Sequence, residues 1–262
     1  MTTESLPRLT HLDLALDDGV LLVSIDRADK RNAINDTLIE SLNTLFSQPP
    51  EGAKVAVLTG HGDHFSAGLD LAEHGLREPL EVMRHSQYWH ATFQQMEFGG
   101  LPVVAALHGA VIGGGLELAM TAHVRVADPS TFYQLPEGRR GIFVGGGASV
   151  RVSRVIGADR TREMMLTGRR YSAEDGQRLG LSHRLAEPGA ALTMARQLAL
   201  EIAANAPASN YMMINALARI ENMPMTEGLF TESLAAALAQ TSDHAREGMQ
   251  AFLDKRAVKF DD

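Results

Sequence analysis

The chain contains no cysteine. That excludes a disulfide, a thiolate nucleophile and a Cys-ligated zinc, and it fits the cytoplasm. Positive charge is also in deficit: 24 Lys and Arg stand against 32 Asp and Glu, for a formal net charge of −8. Phosphate backbones are bound by a basic face that displaces counterions, so a nucleic-acid partner is excluded. No apolar run reaches the roughly 18 residues that would mark a membrane span. Met1–Thr10 lacks an apolar core, so no secretory signal is expected there. No Lys-Ser/Thr pair follows a glycine cluster, no G-x-G-x-x-G fits one, and no H-E-x-x-H occurs. No repeat of fixed period and no low-complexity linker interrupts the chain.

What remains is 262 residues of 45% hydrophobic content, enough for one α/β core with a smaller helical part. Val20–Ile25 and Val55–Gly60 are short apolar runs that read as buried strands. Between them, Asn35 or Asp36 can cap a helix carrying Leu38, Ile39, Leu42, Leu45 and Phe46 at helical spacing, ending before Pro49-Pro50. Pro102–Leu107 and Val124–Ala127 predict two more strands on either side of a helix over Leu116–Ala122. The alternation implies repeated β-α crossovers with strands feeding loops at one sheet edge. From Asp159 onward the pattern turns helical: 162–167, 173–180, 190–205, 229–239 and 245–255 all read as helices. A boundary is placed near Ile156–Asp159, giving a core over 1–157 and a helical region over 158–262.

Gly113-Gly114-Gly115-Leu116-Glu117-Leu118 offers bare N–H groups at a helix start, with a carboxylate one turn in. Such a segment can hold a developing oxyanion beside an acid/base group. A second glycine-rich turn, Thr59–Leu71, leaves the end of another strand. Phe65-Ser66-Ala67-Gly68-Leu69-Asp70-Leu71 and His108–Ala119 resemble the two oxyanion-hole motifs of the crotonase superfamily, the enoyl-CoA hydratase/isomerase family. Asp26–Asn35 is similar to the family's early CoA-contacting loop, and Ala251–Arg256 to a segment near its end. Four motifs in register extend the resemblance over nearly the whole chain.

The resemblance implies the crotonase (ClpP-like) fold, a spiral of β-β-α units followed by a helical trimerisation region, and with it a homotrimer or dimer of trimers. It implies an acyl-CoA substrate with no separate cofactor, and the amides of Leu69 and Gly114 on the thioester oxygen. Donors fixed in advance stabilise the enolate without reorganising, each worth roughly 10²–10³ in rate. Glu117 and Glu137 fall at the positions where the hydratases carry two glutamates. Glu117 would take a proton from water attacking Cβ and Glu137 would deliver one to Cα. Two carboxylates in an apolar pocket repel, which pushes one to hold a proton at neutral pH.

Further contacts are implied more loosely. Arg27, Arg31, Ala33, Ala67, Asp70, Phe252 and Lys255 match CoA-binding positions, and Lys30 adds to the positive charge there. Tyr88 and Trp89, on an aromatic helix over Met83–Phe98, would wall the acyl pocket. Phe143-Val144-Gly145-Gly146-Gly147 stands where many hydratases have Pro-Gly-Ala-Gly-Gly, so the glycines read as close packing near the site and the departure bears on substrate choice. His61, His64, His74, His85, His90 and His108 invite a metal, but His85 and His90 fall on different faces of one helix, so no metal is expected. His108 is expected to hydrogen-bond. An isomerase relying mainly on Glu137, a lyase or decarboxylase using the same enolate, and a noncatalytic acyl-CoA-binding subunit stand as alternatives. Retention of both glutamates favours hydration.

Overall fold

The computed structural model describes residues 6–73, 75, 77–258 and 260. Its larger sheet has six strands in the order β1-β2-β3-β4-β6-β9. β1 (Leu12–Asp17) pairs antiparallel with β2 (Val20–Ile25). Beyond it β3 (Val55–Gly60), β4 (Val103–Leu107), β6 (Val124–Ala127) and β9 (Arg184–Leu185) all run parallel. A smaller sheet joins β5 (Ala110–Ile112), β7 (Phe132–Gln134) and β8 (Tyr171–Ser172). The region expected to be helical therefore supplies a strand to each sheet.

Because successive strand residues face opposite sides, the parallel strands bury two separate cores. Val55, Val57, Val104, Ala106 and Val126 pack against Ala191, Ala195 and Ala199 of α7 (Ala191–Ala203). Ala56, Leu58, Val103, Ala105 and Leu107 face the other way, into the larger cluster. That cluster includes α1 (Asp36–Ser47), whose Leu38, Ile39, Leu42, Leu45 and Phe46 are all buried, as their spacing predicts. Of the two capping candidates Asn35 is the cap, accepting from Leu38 N at 3.0 Å.

α2 (Pro79–Phe98) begins four residues before the predicted start. Pro79 has no N–H to leave unsatisfied in the first turn, and Glu81 Oε2 accepts from Glu78 N at 2.9 Å. α3 (Gly114–Ala119) is shorter than expected and starts earlier, at the glycines themselves. α4 (Ala148–Ile156), absent from the sequence reading, abuts α5 (Ala158–Thr167), with Gly157 between them at φ 87°. Gly157 is where the two-part division of the chain was placed. After α6 (Ala173–Leu179) and α7 come α8 (Pro207–Ile220), α9 (Met225–Gln240) and α10 (Asp243–Leu253). No described helix is long and apolar enough to cross a membrane.

Candidate active site

The first glycine-rich turn leaves the C-terminal end of β3, and the second leaves β5, the short strand that follows β4. A parallel bridge joins Ile34 to Leu69, built from Ile34 N donating to Gly68 O at 2.8 Å and Asp70 N donating to Ile34 O at 2.9 Å. This pattern uses the groups flanking Leu69 and leaves its own N–H directed to the opposite side. A second bridge, Ser66 to Val111, draws the other turn in. Gly113 precedes α3 at φ 52°, a conformation that favours glycine. The first intrahelical bond comes from Glu117 N to Gly113 O, at 2.9 Å, so Gly114 N–H has no partner within the helix. A Cβ built on Gly114 would lie 3.4 Å from Leu69 N, and one on Gly68 would lie 3.1 Å from Gly114 N. The two amides are immediate neighbours.

They open on a cavity of about 550 Å³, whose lining includes Leu69, Gly114, Trp89, Glu117 and Glu137. Its remaining wall is mostly apolar: Pro79, Val82 and Met83 from α2, and Ile142, Phe143 and Val144 from the segment after β7. Trp89 lies under Gly114, where an added Cβ would come within 3.0 Å of its ring. Tyr88 is not a lining residue and is 39% exposed. At about 100° per residue, the lining positions Pro79, Val82, Met83, His85, Ser86 and Trp89 share one side of α2 and Tyr88 falls outside that arc. His85 and Ser86 take that place instead.

Glu117 and Glu137 are 3% and 7% exposed. Glu117 Oε1 accepts from Gly146 N at 2.8 Å and Ala148 N at 2.9 Å. Burial pushes this carboxyl up from its ordinary value, opposed by those amides and by Arg151. Glu137 stands on a one-turn 3₁₀ segment, Glu137–Arg140, set up by Pro136. Among the described residues its Oε2 is buried without a hydrogen-bond partner, and burial together with Glu117 pushes the carboxyl up to about 7. The amide donors favour charge on Glu117, and the unpartnered oxygen favours a proton on Glu137.

The glycine segment 145–147 is the feature the sequence reading placed near the site without assigning it a contact. Gly146 is required by close approach: an added Cβ would lie 2.6 Å from Glu117 Oε2 and 3.1 Å from Phe93. The other residues missed by sequence reasoning, Ser86, Val82, Met83 and Ile142, had no signal beyond apolar or small character. Only packing places them on the wall.

The expected CoA loop is one hydrogen-bonded unit. Arg27, 7% exposed, pairs with Asp70 at 3.0 Å and Glu73 at 2.8 Å and donates to Ala33 O at 2.6 Å. Its guanidinium thus braces the loop instead of standing open to a phosphate, because a buried cation is held by fixed acceptors. Burial would raise Asp70, but Arg27 and two amides reverse this and hold its carboxyl below the usual value. Ala67 N donates to Arg31 O at 2.9 Å, and Arg31 and Lys30 remain exposed. Phe252, 83% exposed, and Lys255 lie at the end of α10. Among the described residues no hydrogen bond or ion pair joins them to the Arg27 cluster.

Each described histidine of the metal hypothesis meets a protein group. His61 meets Asp13, His64 meets Ala110 N, His85 meets Asp36, His90 meets Ser86, and His108 meets Gly62 O at 3.1 Å. His74 lies outside the described residues.

The family model described as enoyl-CoA hydratase/isomerase matches residues 16–262. The chain belongs to the enoyl-CoA hydratase/isomerase family. A solved Rhodopseudomonas palustris CGA009 structure, named only provisionally as an enoyl-CoA hydratase, superposes with a TM-score of 0.92 at 45% identity over 97% of this chain and 98% of that one. The short-chain-enoyl-CoA hydratase of Clostridium acetobutylicum is 27% identical over 96% of this chain and 97% of its own. An enoyl-CoA hydratase structure from Bacillus anthracis has a TM-score of 0.90 at 28% identity, covering 96% and 99%. The fold is that of the crotonase-type hydratases in this family.

Proposed function

We propose that the protein is an enoyl-CoA hydratase, adding water across the α,β double bond of a 2-enoyl-CoA to give a 3-hydroxyacyl-CoA. The observation that carries this reading is the pair of buried glutamates on one cavity wall, differently hydrogen-bonded, beside two free neighbouring amides. Leu69 N–H and Gly114 N–H would donate to the thioester oxygen as it becomes an enolate. Water attacks Cβ and loses a proton to Glu117 while the π electrons move toward the thioester. Glu137 then delivers its proton to Cα as the carbonyl re-forms. The pair returns to its starting protonation by proton exchange. In this reading the only coenzyme is the CoA of the substrate, met by the Arg31, Ala33, Ala67 and Asp70 loop and by Phe252 and Lys255.

The exposed apolar side chains of α9, among them Leu229, Phe230, Leu234 and Leu238, support assembly into a homotrimer or a dimer of trimers. The cysteine-free composition supports a cytoplasmic location.

The test is a panel of 2-enoyl-CoA, 3-enoyl-CoA and hydroxycinnamoyl-CoA thioesters with products identified by mass. Hydration of the 2-enoyl thioester is expected, with kcat reduced about 10²–10⁴-fold in Glu117→Gln and in Glu137→Gln. Full activity in both variants, or double-bond migration without water addition, defeats the reading.

A further inference from the structure

The amides that hold Glu117 are themselves held. Gly146 donates its N–H to Glu117 and accepts on its carbonyl from Arg151 Nη1 at 3.1 Å. The same guanidinium meets Glu97 Oε2 through Nε at 2.8 Å and Nη2 at 2.7 Å. Arg151 sits on α4 and Glu97 on α2, so the fork spans the two helices that flank the glycine segment. Their side chains are 13% and 25% exposed. A planar guanidinium fixed between a carboxylate and a carbonyl has little rotamer freedom left, and its charge is poorly screened by water. Ser86 Oγ donates to the neighbouring Gly145 O at 2.6 Å and holds that end without charge.

We propose that Arg151 is a positioning residue that holds the Glu117 carboxylate through Gly146, and that its charge adds to the two amides in keeping Glu117 the ionised member of the glutamate pair. The groups facing Glu117 come from three elements. The 3₁₀ turn brings Glu137, with Arg140 beside it. α2 brings His85 on the cavity wall, His90 near Gly145 and Glu97 behind Arg151. α4 brings Arg151 itself. Of the cations, Arg151 acts on Glu117 and Arg140 on Glu137. Burial, and then Arg151, pushes His90 down from its ordinary value. The glutamate pair is thus served by one partly buried, two-sided cation and one exposed cation, which breaks its symmetry.

The consequence for turnover rests on the hydratase reading, whereas the ionisation of Glu117 does not. The experiment therefore reads both. Carbon-13 NMR titration of glutamate-labelled protein, with Glu117→Gln to assign the signal, needs no substrate. Arg151→Gln is expected to raise the Glu117 midpoint by about one pH unit, a tenfold change in ionisation, and Arg151→Lys to keep it near wild type. In the hydration assay the ascending limb of kcat/KM moves up with it. Both variants lose about tenfold in kcat at KM within twofold, because neither an amide nor an ammonium bridges Glu97 and Gly146 as the guanidinium fork does. An unshifted Glu117 midpoint in folded Arg151→Gln overturns the proposal, whether or not the protein hydrates any thioester. Should Arg151→Gln fail to fold, Arg151→Lys decides: lowered kcat at unchanged KM supports the proposal, and wild-type kcat overturns it.

Discussion

Glu137 shows what a buried carboxyl costs the fold. Its folded-state value near 7 lies above the ordinary 4.5, so the folded state binds the proton more tightly than the unfolded chain. Its stabilising contribution is complete below pH 4.5 and is lost as pH rises through 7. Glu137→Gln removes the ionisable group, so the variant is expected to be more stable than wild type at pH 8 by about 1–3 kcal/mol. The gap should close near pH 4.5. Urea denaturation at the two pH values checks this, and an equal gap at both would show that Glu137 is not the group titrating. Gly146 makes the complementary case, where no side chain is tolerated. Gly146→Ala places a methyl 2.6 Å from Glu117 Oε2, so the carboxylate must move. A loss of about 10²-fold in kcat is expected from such a displacement, with the circular dichroism spectrum retained, and unchanged kcat would place Glu117 outside the chemistry.

At the scale of elements, α2 has the widest reach. Trp89 supports the Gly114 turn, Ser86 ties down Gly145, Glu97 holds Arg151, and Val82 and Met83 face the cavity. Its sequence carried only an aromatic signal, and the polar anchors Ser86 and Glu97 read as solvated helix residues until their partners are known. Met83 is half-exposed at the cavity rim. Met83→Trp should shorten the accepted acyl chain, raising KM for long 2-enoyl thioesters about tenfold while leaving crotonyl-CoA within twofold. Uniform loss over all chain lengths would instead mean that Met83 supports the helix. Some elements missed in the sequence were short, whereas β1, α4 and α8 were not. β5 and β7 have three residues each and acquire strand character only by pairing. β1 carried its signal openly, since Leu12, Leu14 and Leu16 alternate with Asp13 and Asp17 in a pattern its burial follows.

For the whole molecule, the exposed helices α8 and α9 set the main expectation. On α9 only Gly228 is buried, while Met225, Leu229, Phe230, Leu234 and Leu238 are exposed. Exposed apolar side chains on both sides of one helix are what a subunit interface would cover. Light scattering should give a trimer or hexamer, and Phe230→Glu with Leu234→Glu should lower the mass. A monomeric wild type would refute the assembly.

What the sequence by itself determined is the set of local and family-level features. Short apolar runs predict β2, β3, β4 and β6, helical spacing predicts α1, and the two glycine turns with Glu117 and Glu137 carry the resemblance to the family. These follow from periodicity and from residues whose type is constrained by backbone geometry. Only the tertiary structure decided which groups share a site. Arg27 is turned inward by Asp70, Glu73 and Ala33, Trp89 faces the cavity in place of Tyr88, and Arg151 reaches Glu117 through Gly146. A side chain's partners depend on which strands and helices pack together across tens of residues, and on how burial reweights charge. Neither is encoded in the spacing of neighbours along the chain.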